Sequence, residues 1–181
     1  MDNKNILKEY ETKNLILKKA EPEDLELIWK NVWRFESIAK NMLWEASKTL
    51  EEAKVRLDKT IKYQEEYPSY FIYSKENNEP IGFAGFKESD PGIYEETGIA
   101  IGENYQHKGY GKEIVELFKK IIFEDLHGKR FLYSVFSTNE ISKELCKKAG
   151  FKFLKSKNIT RYWDNKPFII EIYYFDKEMY K

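Results

Sequence analysis

Hydrophobic positions change period several times along the chain. Leu15-Ile16-Leu17 is a short apolar run that reads as a strand. After Pro22, the residues Leu25, Ile28, Trp29, Val32 and Trp33 recur at helical spacing. Proline suits the first turn of the helix they predict. A second helical patch runs from Ser37 to Trp44. Thr49-Leu50-Glu51-Glu52 reads as a capping box. The helix it opens is expected to reach about Gln64, with Ala53, Leu57 and Ile61 turned inward.

The period then falls to that of strands. Tyr70 to Ser74 is one, Asn77-Asn78-Glu79 a polar turn, and Pro80 to Phe86 the returning arm of a hairpin. A second turn, Asp90-Pro91-Gly92, leads into a strand from Tyr94 to Ile101. From Gly111, the positions Ile114, Val115, Leu117, Phe118, Ile121 and Ile122 form one apolar helix face that ends near Gly128. A strand from Arg130 to Phe136 follows, then a short helix from Glu140 to Ala149 stopped by Gly150. A final strand pair begins at Phe151, turns at Asp164-Asn165-Lys166 and ends with Phe168 to Phe175. The strand–helix–strand unit from Tyr94 to Phe136 predicts a parallel pair within a mixed sheet. The fold expected is α/β with helices on both faces.

Composition narrows the function. The 181 residues are expected to form a single domain, 1–181. Lys plus Arg and Asp plus Glu both number 31, so the net charge is zero. That balance points to neither nucleic acid nor a membrane surface as partner. Cys146 is the only cysteine, so no internal disulfide forms and a cytoplasmic setting fits. Residues Met1 to Tyr10 lack an apolar signal core. No apolar run is long enough to span a bilayer.

The chemistry concentrates in Gln106-His107-Lys108-Gly109-Tyr110-Gly111-Lys112, between a strand and an amphipathic helix. Glycines let a backbone turn tightly and bring its N–H groups close to a ligand. A helix start adds unpaired amides and a positive dipole end. Together these make an anion site suited to phosphate. A P-loop is excluded because Gly111-Lys112 is followed by Glu113, where Ser or Thr is needed. A dinucleotide fingerprint is excluded because Ile114 stands where its third glycine belongs.

What remains, Q-x-x-G-x-G at a helix start, resembles the acetyl-CoA pyrophosphate loop of the GNAT superfamily of N-acetyltransferases. A second segment agrees. Asn139-x-x-Ser142-x-x-Leu145-Cys146-Lys147-Lys148-Ala149-Gly150-Phe151 is similar to the family's N-x-x-S-x-x-L-Y-E-K-x-G-F stretch, and it lies one helix and one strand after the loop. The likeness covers about Leu15 to Phe175. The ending from Tyr162 to Phe168, with its aromatic strand, resembles the Rim-type branch, which includes ribosomal-protein N-terminal acetyltransferases. The resemblance implies the GNAT fold, a mixed and mostly antiparallel sheet. It also implies acetyl-CoA as cosubstrate, no metal, an amine acceptor, and a monomer or homodimer.

The resemblance assigns roles as well. Ile99, Ala100 and Ile101 would lie along the pantetheine arm, and their strand would offer an amide to the thioester oxygen. The stretch from Gln106 to Lys112 would bind the diphosphate, with Lys108 and Lys112 adding charge. Glu96 is the first candidate base for the attacking ammonium, and Glu95 the alternative, since strand neighbours face opposite sides. Asn139 is a good N-cap, and with Ser142 it would also touch the cofactor arm. Cys146 replaces the family's tyrosine, the usual proton donor to the leaving sulfur. It reads as a packing residue or a donor, and Tyr133 and Tyr162 are substitutes. His107 and His127 read as surface residues. Trp29, Trp33, Phe35 and Trp44, in the first helices, read as core or as the wall of an acceptor pocket, with Glu36 and Glu45 adding charge. The same features also suit a non-catalytic acyl-CoA-binding module.

Overall fold

A computed structural model describes Ile6 and residues 8–180. The absent signal core noted above involves Met1–Asn5 and Leu7, which lie outside the described residues. Eight strands form one sheet: β1 (Glu9–Glu11), β2 (Leu15–Lys18), β3 (Ser69–Ser74), β4 (Pro80–Asp90), β5 (Ile93–Ile101), β6 (Arg130–Phe136), β7 (Lys152–Thr160) and β8 (Pro167–Asp176). Their spatial order is β1-β2-β3-β4-β5-β6-β8-β7. Among the described residues, only β5 and β6 pair in parallel. The strand–helix–strand reading predicted that pair. It did not predict β1, whose three residues are too few to show a period.

The first helical region is more broken than its spacing suggests. A 3-10 turn at Pro22–Asp24 leads into α1 (Leu25–Ile28), which widens into a π-turn at Trp29–Trp33. The patch expected from Ser37 to Trp44 is helical only in α2 (Glu36–Ala39). Beyond it, Ser47 N donates to Trp33 O at 2.8 Å, so tertiary bonding replaces helix.

α3 (Leu50–Glu66) starts where the capping residues place it: Thr49 Oγ1 accepts from Glu52 N at 3.2 Å. The Glu52 carboxylate returns to Lys48 N at 2.6 Å, one residue earlier than a standard box requires. α4 (Tyr110–Lys120) continues into a π-turn at Ile121–Asp125. α5 (Glu140–Lys148) is capped by Asn139, whose Oδ1 accepts from Ser142 N at 3.2 Å.

Burial on both faces explains why β3 is apolar without interruption. Tyr70 and Ile72 pack into a core with Ile114 and Phe118 of α4 and Cys146 of α5. Phe71 and Tyr73 point the other way, into a core with Ile28, Val32, Trp33, Ala53 and Leu57. The helices therefore cover both faces. Among the described residues, no helix is long and apolar enough to cross a membrane.

Candidate active site

β5 carries a β-bulge. Gly85 of β4 pairs with Gly98, yet the next residue, Phe86, pairs with Glu96, leaving Thr97 as the extra residue. Gly98 adopts φ 125°, which a side chain rarely allows. An interior glycine marks bulges of this kind. The extra residue reverses the alternation of side chains. Tyr94, Ile99 and Ile101 all belong with the α4–α5 core although their numbering differs in parity. Glu96, on the same face as Tyr94, is turned toward α5.

β5 and β6 pair over only three residues, Ile93 to Glu95, and then part. The Glu96 carboxylate spans the opening. Its Oε2 accepts from Gly98 N at 2.6 Å and its Oε1 from Ser134 N of β6 at 3.3 Å. Burial pushes its pKa up to about 7, against the two amide bonds, which pull it down. The residue is half-buried and keeps some solvent contact. A carboxylate that changes charge near neutrality suits a general base. Glu95 is different: Lys87 holds it at 3.0 Å across the β4–β5 ladder.

The strand beyond the bulge presents backbone to the same opening. Gly102 N donates to Ile81 O of β4 at 2.7 Å, and this phases the ladder. Alternation then turns the peptide groups of Ile99 and Ile101 toward β6. Gln106 Nε2 donates to Ile101 O at 2.9 Å, tying the start of the glycine loop to the end of β5. Ala100 faces the other core.

In the loop, His107 (φ 62°) and Gly109 (φ 84°) both take left-handed conformations. A Cβ on Gly109 would meet nothing within 4 Å, so space is open on that side. Among the described residues, no backbone partner occurs for the amides of residues 107–111, whereas those of Lys112 and Glu113 turn back to Gly109 O. The loop thus presents unpaired N–H groups at the start of α4, as its glycines suggest. Glu113 does not repel an anion there. Its carboxylate is drawn toward the β1–β2 turn by Thr12 Oγ1 (2.6 Å) and by Asn14 Nδ2 (2.5 Å) and N (3.2 Å). Burial raises its pKa, but these bonds win and hold it below the usual value.

Gly111 packs against Leu145 of α5, and Tyr110 is buried in the core. Lys112 is exposed. Lys108 lies 3.8 Å from Glu76 and over the Tyr105 ring. His107 and His127 are both on the surface.

Under α5, Cys146 is 1% exposed. Burial, and then the charge of Glu96, push its thiol pKa far up, so it stays protonated and is unsuited to nucleophilic attack. Tyr133 is a buried neighbour on β6. Its hydroxyl lies 3.4 Å from Ser142 Oγ, and burial and Glu96 also raise its pKa. Tyr162 stands elsewhere, exposed on the β7–β8 turn.

On the opposite face, a cavity of about 610 Å³ opens beside Thr97 and Gly98. Trp33, Trp44, Glu45 and Tyr162 line it, as does Arg56 of α3. Trp29 does not. Its indole donates to Ser47 O at 2.9 Å, and the ring packs against the α1–α3 core. Phe35 likewise packs against that core, and Glu36 is exposed away from the cavity. Arg56 was not singled out from sequence. The signal was its place beside Leu57 and three residues after Ala53, on the edge of the buried stripe. Among the described residues, no cluster of three or more His, Cys, Asp or Glu side chains could hold a metal.

An eight-stranded mixed sheet with a parting parallel pair and an amide-rich loop at the strand end is the fold that the resemblance implies. The family model described as the acetyltransferase (GNAT) domain matches residues 14–152, and the chain belongs to this family. Comparison with curated proteins gives no match. Among solved structures, a GNAT-family acetyltransferase from Bacillus anthracis is similar over 94% of this chain and 99% of its own, with 18% identity and a TM-score of 0.81. The ribosomal L7/L12 alpha-N-protein acetyltransferase RimL, in complex with coenzyme A disulfide-linked to one of its cysteines, is similar over 93% of this chain and 97% of its own (16% identity, TM-score 0.76). A ribosomal-protein-S5-alanine acetyltransferase from Vibrio fischeri is similar over 96% and 98% (15% identity, TM-score 0.75).

Proposed function

We propose that the protein is a cytoplasmic N-acetyltransferase. It transfers the acetyl group of acetyl-CoA to a primary amine, on a peptide N-terminus or a small molecule, by direct attack in a ternary complex. The observation that carries this reading is the opening between β5 and β6, where one half-buried carboxylate faces a strand edge that ends in unpaired amides.

The residues fit the cosubstrate in three ways. The amides of residues 107–111, without partners among the described residues, suit a diphosphate, with Lys112 beside them. The peptide group of Ile99 and the N–H of Ile101, turned toward the opening, suit a pantetheine arm lying as an added strand. The open space at Gly109 admits close approach of the diphosphate. Asn139 caps α5, and Ser142 on its first turn lies 3.4 Å from the Tyr133 hydroxyl, which supports a role for both beside the cofactor arm. Acetyl-CoA supplies an activated thioester carbonyl, and this chain's residues do the rest. Glu96 takes the ammonium proton, directly or through water. An amide of the strand beyond the bulge donates to the carbonyl oxygen as charge develops there. The hydroxyl of Tyr133, supported by Ser142, hydrogen-bonds to the departing sulfur. Cys146 packs behind it. The amine approaches through the cavity beside Thr97 and Gly98, past Trp33 and Trp44.

A thiol-release assay with acetyl-CoA and a panel of amines and peptides tests the proposal. Release accelerated by at least one amine is expected. Tight acetyl-CoA binding with no amine accelerating release would make the chain a non-catalytic acyl-CoA-binding module. Failure to bind acetyl-CoA at millimolar concentration would end both readings.

A further inference from the structure

Two residues that line the acceptor cavity carry hydrogen-bond donors without acceptors. Arg56 Nη1 and Trp44 Nε1 are both buried and have no partner among the described residues. They belong to neighbouring groups, since the guanidinium stacks 4.4 Å from the centre of the Trp44 ring. The other terminal nitrogen, Nη2, donates to Glu45 O. No carboxylate lies within ion-pair distance of Arg56 among the described residues, although Glu45 and Glu52 line the same cavity. Glu52 is committed to Lys48 N, and Glu45 lies 3.9 Å from Lys48 Nζ. Desolvation lowers the Arg56 pKa to about 10, which leaves it charged at neutral pH. A buried N–H without an acceptor on a part-buried cation costs free energy until an acceptor arrives.

We infer that the acceptor amine carries a carboxylate, which Arg56 and Trp44 bind in the cavity. This rests on the acetyltransferase reading above and narrows its substrate class. Arginine presents a planar fork that matches a carboxylate, and an indole N–H beside it adds a third donor. A carboxylate, with its single charge, is the oxyanion that suits a wall also bearing Glu45 and Glu52. A dianionic phosphate would be repelled there. Diamines and polyamines are disfavoured because they would place a second cation against Arg56. The donors reach the ligand by side-chain rotation, the commonest adjustment at binding surfaces.

The test compares ω-amino acids from glycine to 6-aminohexanoate, and acidic dipeptides, each with its carboxamide and with the matching diamine. In the native protein, kcat/KM for the preferred acid is expected to exceed that of its amide by roughly 10- to 100-fold, the range for a hydrogen bond to a charged group. Arg56→Met should reduce the ratio to within about twofold without changing acetyl-CoA affinity. Arg56→Lys should keep part of it. Amides or diamines used as well as acids by the native protein would overturn the inference.

A second arm does not depend on transfer. Binding of the same acids and amides is followed by titration calorimetry in the presence of CoA. If no amine is acetylated yet acids bind and amides do not, the transferase reading fails and the carboxylate site at Arg56 and Trp44 stands. If acids and amides bind alike, or neither binds, this inference fails whatever the turnover.

Discussion

Replacing Glu96 by Gln separates the charge of this residue from its shape. In the native protein the carboxyl titrates at about 7, against an ordinary 4.5. The folded form therefore holds its proton between those values while the unfolded chain has lost it. Stability falls wherever the native state binds more protons, so this group lowers stability as pH rises from 4.5 to 7 and then contributes a constant penalty. At 1.36 kcal/mol per decade, the full shift corresponds to about 3 kcal/mol. Partial solvent contact reduces that to about 2 kcal/mol. Gln has no such titration.

The amide retains one acceptor for Gly98 N or Ser134 N and loses the other, a cost that does not change with pH. The stability of Glu96→Gln relative to the native chain should therefore improve by about 2 kcal/mol between pH 4.5 and 8. In a chain this long that is a relative gain of about 4–8 °C in melting temperature. Thermal unfolding without CoA, at half-unit pH steps, measures it. A difference between the two proteins that stays flat across this window would show that Glu96 has an ordinary pKa, and the case for it as base would fall with it.

The same substitution should lower kcat by about 10²-fold or more and remove a rise in native kcat/KM through about pH 7, read from steady-state pH profiles. Gly109→Ala places a side chain at φ 84° in open space, so strain of about 1–2 kcal/mol arises without a clash. Calorimetry should show weaker acetyl-CoA binding, by about tenfold, with the sheet intact by circular dichroism. Asn139→Ala removes the cap of α5 and should cost about 1 kcal/mol, seen as a fall of about 2–4 °C in melting temperature. Cys146→Ala should cost about 1 kcal/mol of stability and leave kcat within twofold, whereas Tyr133→Phe should lower kcat by about tenfold. The opposite ranking in steady-state assays would return the proton donor to Cys146.

Much of this was legible in the order of residues because the relevant physics is local. Period separates β3 from α3, glycines announce the loop at Gly109, and Asn139 announces the start of α5. Local signals cannot report tertiary competition. The segment after α2 has helical spacing, yet Ser47 N bonds to Trp33 O and the helix stops. The parting of β5 from β6 depends on where two distant strands lose register, and neither strand records it. Trp29 and Trp33 share one stripe, but their depth in the fold differs. Gly98 is the readable hint of the bulge, since a glycine inside a strand warns of one. Arg56 was legible only as a charge at the edge of an apolar stripe.

Thr97 acts as a phase shifter in the sheet. Side chains before it and after it obey opposite odd–even rules, so regular pairing with Thr97 kept in the ladder would send Ile99 and Ile101 through to the α1–α3 side and bring Ala100 under α4. The two ends of β5 are thereby decoupled: one is free to be tuned for proton transfer and the other for holding a ligand, without either repacking the other.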